Sequence, residues 1–297
     1  MTRAHAADEG PGEDGSTTGF DGFRRDLLAS VRAVDVLVLS VVPVVLLAVF
    51  SLPEATRRSL SFAYTAPTPM TAFTAHYVHL QGGHLAGNLA SYVLLAGVGY
   101  VLAVLGGKRR FFLTALATFL LAFPFVLSAL NLAVPRNAIG FGFSGINMAL
   151  AGLLPLLLWA YARDQFFPDA SVRPVPAVFF LLVGWITLLA LPVSTGGEGF
   201  AGLVLTVAAL TIGLVYTEST GLDLRRPSER LRTVTSRAGY GDLFLVGIAL
   251  LVGYPVVGFP SDPTGAGRVV NLYVHLLGFC LAFIGSFVLL AGDVIDE

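Results

Sequence analysis

Long apolar runs dominate the chain after residue 33, and they predict membrane-spanning helices. A span needs about 20 consecutive apolar residues, and eight runs approach or exceed that length. They cover residues 34–52, 84–105, 111–133, 144–162, 175–193, 200–216, 243–259 and 272–291. The pattern therefore predicts an all-α polytopic membrane protein, a helical bundle of about eight transmembrane helices.

The composition agrees with a bilayer as the solvent of this chain. Hydrophobic residues make up 55% of the sequence and charged residues only 12%, whereas a soluble domain has about 25% charged residues. The net charge of -1 gives no reason to expect nucleic acid as a partner. Cys280, the single cysteine, lies in the last apolar run, so an intrachain disulfide is impossible.

The first 33 residues differ from the rest of the chain. The stretch ADEGPGEDGSTTG is acidic, rich in glycine and poor in large apolar residues, which predicts a disordered tail over residues 1–33. The apolar run that follows has the length of a span rather than of a signal-peptide core. We therefore expect a membrane domain over residues 34–297 that keeps this run as its first span.

The distribution of basic residues predicts the orientation in the membrane. Basic residues near the ends of spans favour the cytoplasm. With the N-terminus inside and eight alternating spans, fourteen of the 18 lysines and arginines lie on the inner side. The four on the outer side are Arg57, Arg58, Arg136 and Arg268. We therefore expect a multi-pass protein of the cell membrane with both termini cytoplasmic.

A serine between glycines opens the fourth span, in the stretch IGFGFSGINMAL. With this topology, Ser144 and His275 enter the membrane from the same outer face at similar depth. An imidazole within reach can activate a serine as a nucleophile, and a helix N-terminus stabilises the oxyanion that forms. The flanking glycines, Gly142 and Gly145, let backbone and substrate approach closely. The alternatives are an N-cap serine and a histidine bonded to a backbone carbonyl.

A second polar cluster opens the second span. His84 and Asn88 are four residues apart, so they share a helix face at the outer end of that span. Both side chains can donate hydrogen bonds to an oxyanion. The alternative is interfacial capping by polar side chains. The cluster does not predict a metal site, because the HxxxN spacing is not a zinc pattern and no carboxylate or cysteine accompanies it.

Small residues predict close packing between the fourth and eighth spans. They are Gly145, Ala149 and Gly152 in the fourth span, and Gly278 and Ala282 in the eighth. Such packing would bring His275 toward Ser144.

Taken together, these motifs resemble the rhomboid family of intramembrane serine proteases. The matching residues are GFSG at 142–145, the pattern His79-x4-His84-x3-Asn88, and His275 followed by Gly278. The resemblance implies a six-helix core and a Ser144–His275 dyad without an aspartate. It also implies an oxyanion site formed by His84, Asn88 and the Ser144 N–H.

The same resemblance implies that the substrates are transmembrane helices of membrane proteins, cut near the outer membrane face without a cofactor. Met148 stands where the family usually has an aromatic residue that stacks on the histidine, so we expect Met148, Asn271 or Tyr273 to orient His275. Two other functions remain open. One is a catalytically inactive relative that binds transmembrane clients, and the other is a small transporter, although these spans lack the polar mid-membrane segments that transporters use.

Overall fold

The computed structural model describes residues 14–190, 197–219, 227–260 and 270–292. Most of these residues are helical, and two short strands form the only sheet within them. The helices are α1 Asp14–Ser30, α2 Ala33–Phe50, α3 Glu54–Ser59, α4 Pro69–Thr74, α5 Gly82–Leu105, α6 Arg109–Leu121, α7 Phe123–Asn131, α8 Ser144–Gln165, α9 Val175–Ala190, α10 Gly197–Ser219, α11 Pro227–Thr235, α12 Tyr240–Gly258 and α13 Leu272–Ala291. A 3-10 turn, Ala75–Tyr77, follows α4, and the strands are β1 Phe62–Ala63 and β2 Ile139–Gly140.

Each of the eight apolar runs forms helix in the structure, so the all-α polytopic class is confirmed. Five helices, α2, α5, α8, α12 and α13, are long and apolar enough to cross a membrane, and the bent pair α6 and α7 would make a sixth span. Helix α9 and the apolar part of α10 are shorter. The end of the fifth run, residues 191–193, lies outside the described residues, and the count of eight crossings stays a prediction.

The third run was expected as one helix, and this is wrong. It forms α6 and α7, which meet at an angle of 47°. Pro124 is the second residue of α7. Proline lacks an N–H and its ring clashes with the preceding turn, so it favours the start of a helix. Pro43, Pro155 and Pro255 are nevertheless accommodated inside α2, α8 and α12.

The helices alternate in direction between two ends of the bundle. At one end, called here the cavity end, the beginnings of α5, α8 and α13 meet the ends of α7 and α12. The opposite end carries a partly buried ion pair, in which Arg109 Nε donates to Asp35 Oδ2 at 2.6 Å and Tyr100 donates to the same oxygen at 2.7 Å. These bonds fasten the start of α6 to α2 and α5.

Helix α8 is the centre of the bundle, since nearly all of its side chains from Gly145 to Leu158 are buried. It packs closely against α13, as the small residues predicted. A Cβ atom at Gly278 would overlap the carbonyl oxygen of Gly145, and one at Gly152 would overlap that of Phe279. Only glycine permits this approach of the two backbones.

The disorder expected for residues 1–33 is wrong from residue 14 onward, because Asp14–Ser30 forms helix α1. The ring of Phe23 packs edge-on against Tyr240 at 5.1 Å between centroids, and the Tyr240 hydroxyl donates to Asp26. These contacts fix α1 at the opposite end, beside the start of α12. Residues 1–13 of the predicted tail lie outside the described residues.

Helices α9 and α10 pack against each other, and α9 joins the pair to the bundle. The ring of Phe179 stacks on Phe283 of α13 at 4.4 Å, and Trp185 Nε1 donates to the Val252 carbonyl of α12 at 3.1 Å. Several large apolar side chains of α10 are exposed, which is the surface expected of a lipid-facing helix.

Candidate active site

A cavity of about 690 Å3 lies at the cavity end of the bundle. Its walls come from α5, α7, α8, α12 and α13, from the 3-10 turn after α4, and from the two loops that carry β1 and β2. The five residues selected from the sequence all line it: Gly142, Ser144, His84, Asn88 and His275. The structure therefore brings them to one site, while their chemical roles stay predictions.

Ser144 is the first residue of α8 and does not act as its cap. The N-cap position belongs to Phe143, and no side chain caps the helix. The alternative of an N-cap serine is therefore wrong. Ile146 and Asn147 donate their N–H groups to the Phe143 carbonyl, whereas the N–H of the first helical residue has no acceptor within the helix, so α8 presents the Ser144 N–H next to the Ser144 hydroxyl.

The turn before Ser144 depends on glycine at position 142. Gly142 has a φ of 114° and its N–H donates to the Ala75 carbonyl at 2.9 Å. A Cβ atom there would come within 2.6 Å of His84 Cε1. Both the backbone conformation and the close imidazole therefore exclude a side chain.

His275 is buried, and its ring is held from α12. Nδ1 lies 2.6 Å from the Gly258 carbonyl oxygen, which assigns the proton of the neutral ring to Nδ1 and leaves Nε2 as an acceptor. Val274, just before His275, packs against Gly145, just after Ser144. Ser144 and His275 therefore lie on two closely packed helices, and both line the cavity.

The aromatic partner of His275 is Phe259, which was not among the residues expected to orient the ring. Its ring meets the imidazole edge-on at 5.9 Å between centroids. Met148 instead packs against Gly258, where a Cβ atom would overlap its terminal methyl group. Asn271 caps α13 through the Val274 N–H at 3.2 Å, and Tyr273 is exposed.

Asn88 belongs to a buried network that the sequence did not reveal. Its Nδ2 donates to His79 Nε2 at 2.9 Å, and Asn147 Nδ2 donates to Asn88 Oδ1 at 3.2 Å. The Phe143 N–H also points to His79 Nε2, at 3.4 Å. Because Asn88 Nδ2 carries two hydrogens, it keeps one for the cavity.

His79 is the acceptor that orders this network, and its environment keeps it neutral. Burial, reinforced by the neighbouring His84, lowers the pKa of His79 to about 3. The rings of His79 and His84 lie 4.9 Å apart. A neutral His79 can accept at Nε2 at every physiological pH, so the amide of Asn88 keeps one orientation.

A second pair of serine and histidine also lines the cavity. His76 Nε2 lies 3.1 Å from Ser128 Oγ, which itself donates to the Ala72 carbonyl at 2.8 Å. Ser128 lies inside α7, where backbone N–H groups bond within the helix rather than facing a side-chain hydroxyl as at a helix N-terminus. This pair therefore ties the loop before α5 to α7, and it lacks the oxyanion donors that Ser144 has.

The sequence reasoning missed three residues that position the site: His79, Asn147 and Phe259. His79 stood within the recognised pattern, so its spacing was a usable signal. Asn147 lies one helical turn after Ser144, and a buried asparagine in an apolar helix is a signal of a hydrogen-bonded network. Phe259 gave no signal, because its contact depends on how α12 ends.

The described residues contain no group of three or more histidine, cysteine, aspartate or glutamate side chains that could hold a metal ion. The fold and the cavity define a membrane-spanning helical protein in which a hydroxyl and an imidazole line one cavity. Comparisons with protein-family models, curated proteins and solved structures found no match to this chain.

Proposed function

We propose that this protein is a rhomboid-like intramembrane serine protease with a Ser144–His275 dyad. One observation carries the proposal. Ser144, at the free N-terminus of α8, and His275, anchored through Nδ1 by the Gly258 carbonyl, line the same cavity on closely packed helices. That arrangement supplies a nucleophile, a base with a fixed tautomer and oxyanion donors together.

In the proposed reaction, Nε2 of His275 takes the proton of Ser144 Oγ as the oxygen attacks a peptide carbonyl. The N–H of Ser144 and the side chains of Asn88 and His84 donate to the oxyanion. His275 then protonates the leaving amine, and a water molecule hydrolyses the acyl-enzyme with the same histidine as base. No step needs a metal or cofactor.

The proposed substrates are transmembrane helices of membrane proteins, cut near the outer face of the cell membrane. The charge distribution supports this side. Arg24, Arg25, Lys108, Arg163 and Arg237 are near the end of the bundle opposite the cavity, and basic residues favour the cytoplasmic side. We therefore place both termini in the cytoplasm and the cavity toward the outer face.

We assign the six-helix core to α2, α5, the bent pair α6–α7, α8, α12 and α13. Of the helices between α8 and α13 in the chain, α12 lines the cavity through Tyr254, Val257 and Gly258. Helices α9 and α10 contribute no lining residue among those described. We treat them as an added pair. A pair of helices crosses the membrane and returns, so it leaves the serine and the histidine at the same face.

The contact with Phe259 weighs against the alternative of an inactive relative, because an aromatic ring still supports His275 in the absence of one at position 148. The test is cleavage of a model transmembrane substrate in liposomes. We expect Ser144→Ala and His275→Ala each to abolish cleavage while the melting temperature holds, and Ser128→Ala to retain it. Cleavage near the wild-type rate in either dyad variant would overturn the assignment.

A further inference from the structure

A polar cluster forms the wall of the cavity next to the beginning of α13. It consists of Tyr64 after β1, Asn131 at the end of α7, Arg136 in the loop before β2, and Asn271. None of these side chains has a part in the proposed reaction. The cluster nevertheless lines the same cavity as Ser144 and His275.

Arg136 is held in a fixed position within this cluster. Its Nη2 donates to Asn131 Oδ1 at 2.9 Å, and its Nε donates to the Val134 carbonyl at 3.3 Å. The guanidinium carbon lies 4.7 Å above the centre of the Tyr64 ring. The stacking and the two hydrogen bonds fix the plane of the guanidinium group.

The support beneath Arg136 is connected to the helix that carries His275. Asn271 Nδ2 donates to Asn131 Oδ1 at 3.1 Å, and Asn271 also caps α13. Asn131 Nδ2 donates to the Tyr64 hydroxyl. Arg136 is therefore fixed relative to α13, one helical turn before the imidazole.

The charge of Arg136 has no counterpart in the described wall of the cavity. It is the one arginine or lysine among the lining residues, and no aspartate or glutamate of the described chain lines the cavity with it. Two of the five guanidinium N–H donors are used by the hydrogen bonds within the described residues. Three remain, and two parallel donors are what a carboxylate accepts.

We propose that Arg136 is a specificity-determining residue that binds an aspartate or glutamate side chain of the substrate close to the scissile bond. This inference rests on the proposed protease function and names a preference of the same cavity. An acidic substrate residue fits the proposed orientation. Lysine and arginine are enriched at the cytoplasmic ends of spans, so the outer end of a substrate helix has few basic residues that Arg136 would repel.

The experiment uses a fluorescent single-span peptide and the full-length protein in phosphatidylcholine nanodiscs. An aspartate is moved one position at a time through the segment around the cleavage site, and each peptide is compared with its asparagine isostere. We expect at least one position where the aspartate peptide has a kcat/KM about tenfold higher. Arg136→Gln should reduce that ratio to about one, and Arg136→Lys should give an intermediate ratio because it keeps the charge without the bidentate fork.

Arg58→Gln is the matched control. Arg58 lies on α3 near the same end of the bundle, is exposed, and pairs with Glu54 at 2.7 Å without lining the cavity. It should keep the wild-type ratio. An aspartate preference that is absent in the wild type, or that persists in Arg136→Gln, would overturn the inference.

A binding measurement separates this inference from the proposed function. The dissociation constants of the same peptide pairs are measured on Ser144→Ala protein and on Ser144→Ala/Arg136→Gln protein, where no chemistry is needed. An Arg136-dependent ratio supports the inference even if the protein cleaves nothing, and its absence contradicts the inference even if cleavage depends on Ser144. The same measurements are repeated in nanodiscs that also contain phosphatidylglycerol. If Arg136→Gln changes only the effect of phosphatidylglycerol on peptide binding, the ligand of Arg136 is a lipid headgroup and the substrate assignment is wrong.

Discussion

The imidazole of His275 is held at the cavity by the Gly258 carbonyl and the ring of Phe259. Ser144 follows a Gly-rich turn at a span end, and His275 is an ionisable group inside an apolar run, which is rare in membranes. Phe259 and the Gly258 carbonyl reach His275 from the end of α12, seventeen residues earlier in the chain for Gly258. Such contacts depend on where the end of one helix lies relative to another helix, and the hydrophobic pattern of the sequence does not contain that information.

The structure gives a specific basis for the prediction that Asn88 donates a hydrogen bond to the oxyanion. Its amide is oriented by His79 and its carbonyl oxygen accepts from Asn147, so one N–H remains for the oxyanion. Loss of one such donor costs about 10²–10³ in rate. We therefore expect Asn88→Ala to lower kcat by about that factor with little change in KM.

The isosteric Asn88→Asp variant is the control for packing, because it keeps the volume and removes the donor. We expect it to lower kcat at least as much as Asn88→Ala. Measuring kcat and the melting temperature on the same preparations separates catalysis from support of the fold. A wild-type kcat together with a lowered melting temperature would remove Asn88 from the oxyanion site.

At the scale of elements, the existence of the helices could be predicted from the sequence, and their breaks were missed. The third apolar run is continuous in hydropathy, yet it divides into α6 and α7 beside Pro124, which lacks the N–H that would continue the helix. Helix α1 was missed because its composition is polar. Its stability comes from Phe23 and Asp26, which contact Tyr240 more than 200 residues later.

The contact between α8 and α13 gives a prediction with a control on the same helix. A Cβ atom at Gly278 would overlap the Gly145 backbone, whereas one at Gly285 would meet nothing within 4 Å. We expect Gly278→Ala to lower the melting temperature by about 5 °C, since overpacking costs about 1–3 kcal/mol. It should also slow labelling of Ser144 by a fluorophosphonate, because α13 must move away from α8.

Gly285→Ala adds the same methyl group to open space on the same helix, so it should leave both the melting temperature and the labelling rate close to those of the wild type. Equal effects of the two substitutions would contradict the close packing of α8 and α13.

At the scale of the whole molecule, the helices alternate in direction in the way that the sequence predicted for Ser144 and His275, which were expected at the same end of the fourth and eighth spans. The beginnings of α5, α8 and α13 meet at one end, as expected if the serine and the histidine enter from one face. Helices α9 and α10 preserve this alternation as a pair. The side of the membrane that each end faces comes from the arginines and lysines alone, and it stays a prediction.

The orientation can be tested by cysteine labelling in intact cells on a Cys280→Ser background. Asn137, at the cavity end, and Ser236, near the start of α12, are both exposed. An impermeant maleimide should label Asn137→Cys in intact cells and Ser236→Cys only after permeabilisation. The reverse pattern would place the cavity toward the cytoplasm and contradict the predicted topology.

In the proposed mechanism, Ser144 is a nucleophile activated by His275. The most direct measurement is mass-spectrometric mapping of a fluorophosphonate adduct on the full-length protein in nanodiscs. We expect one adduct, on Ser144, at the wild-type level in Ser128→Ala and lost in His275→Ala while the fold is retained. An adduct on Ser128, or one on Ser144 that persists without His275, would contradict the account.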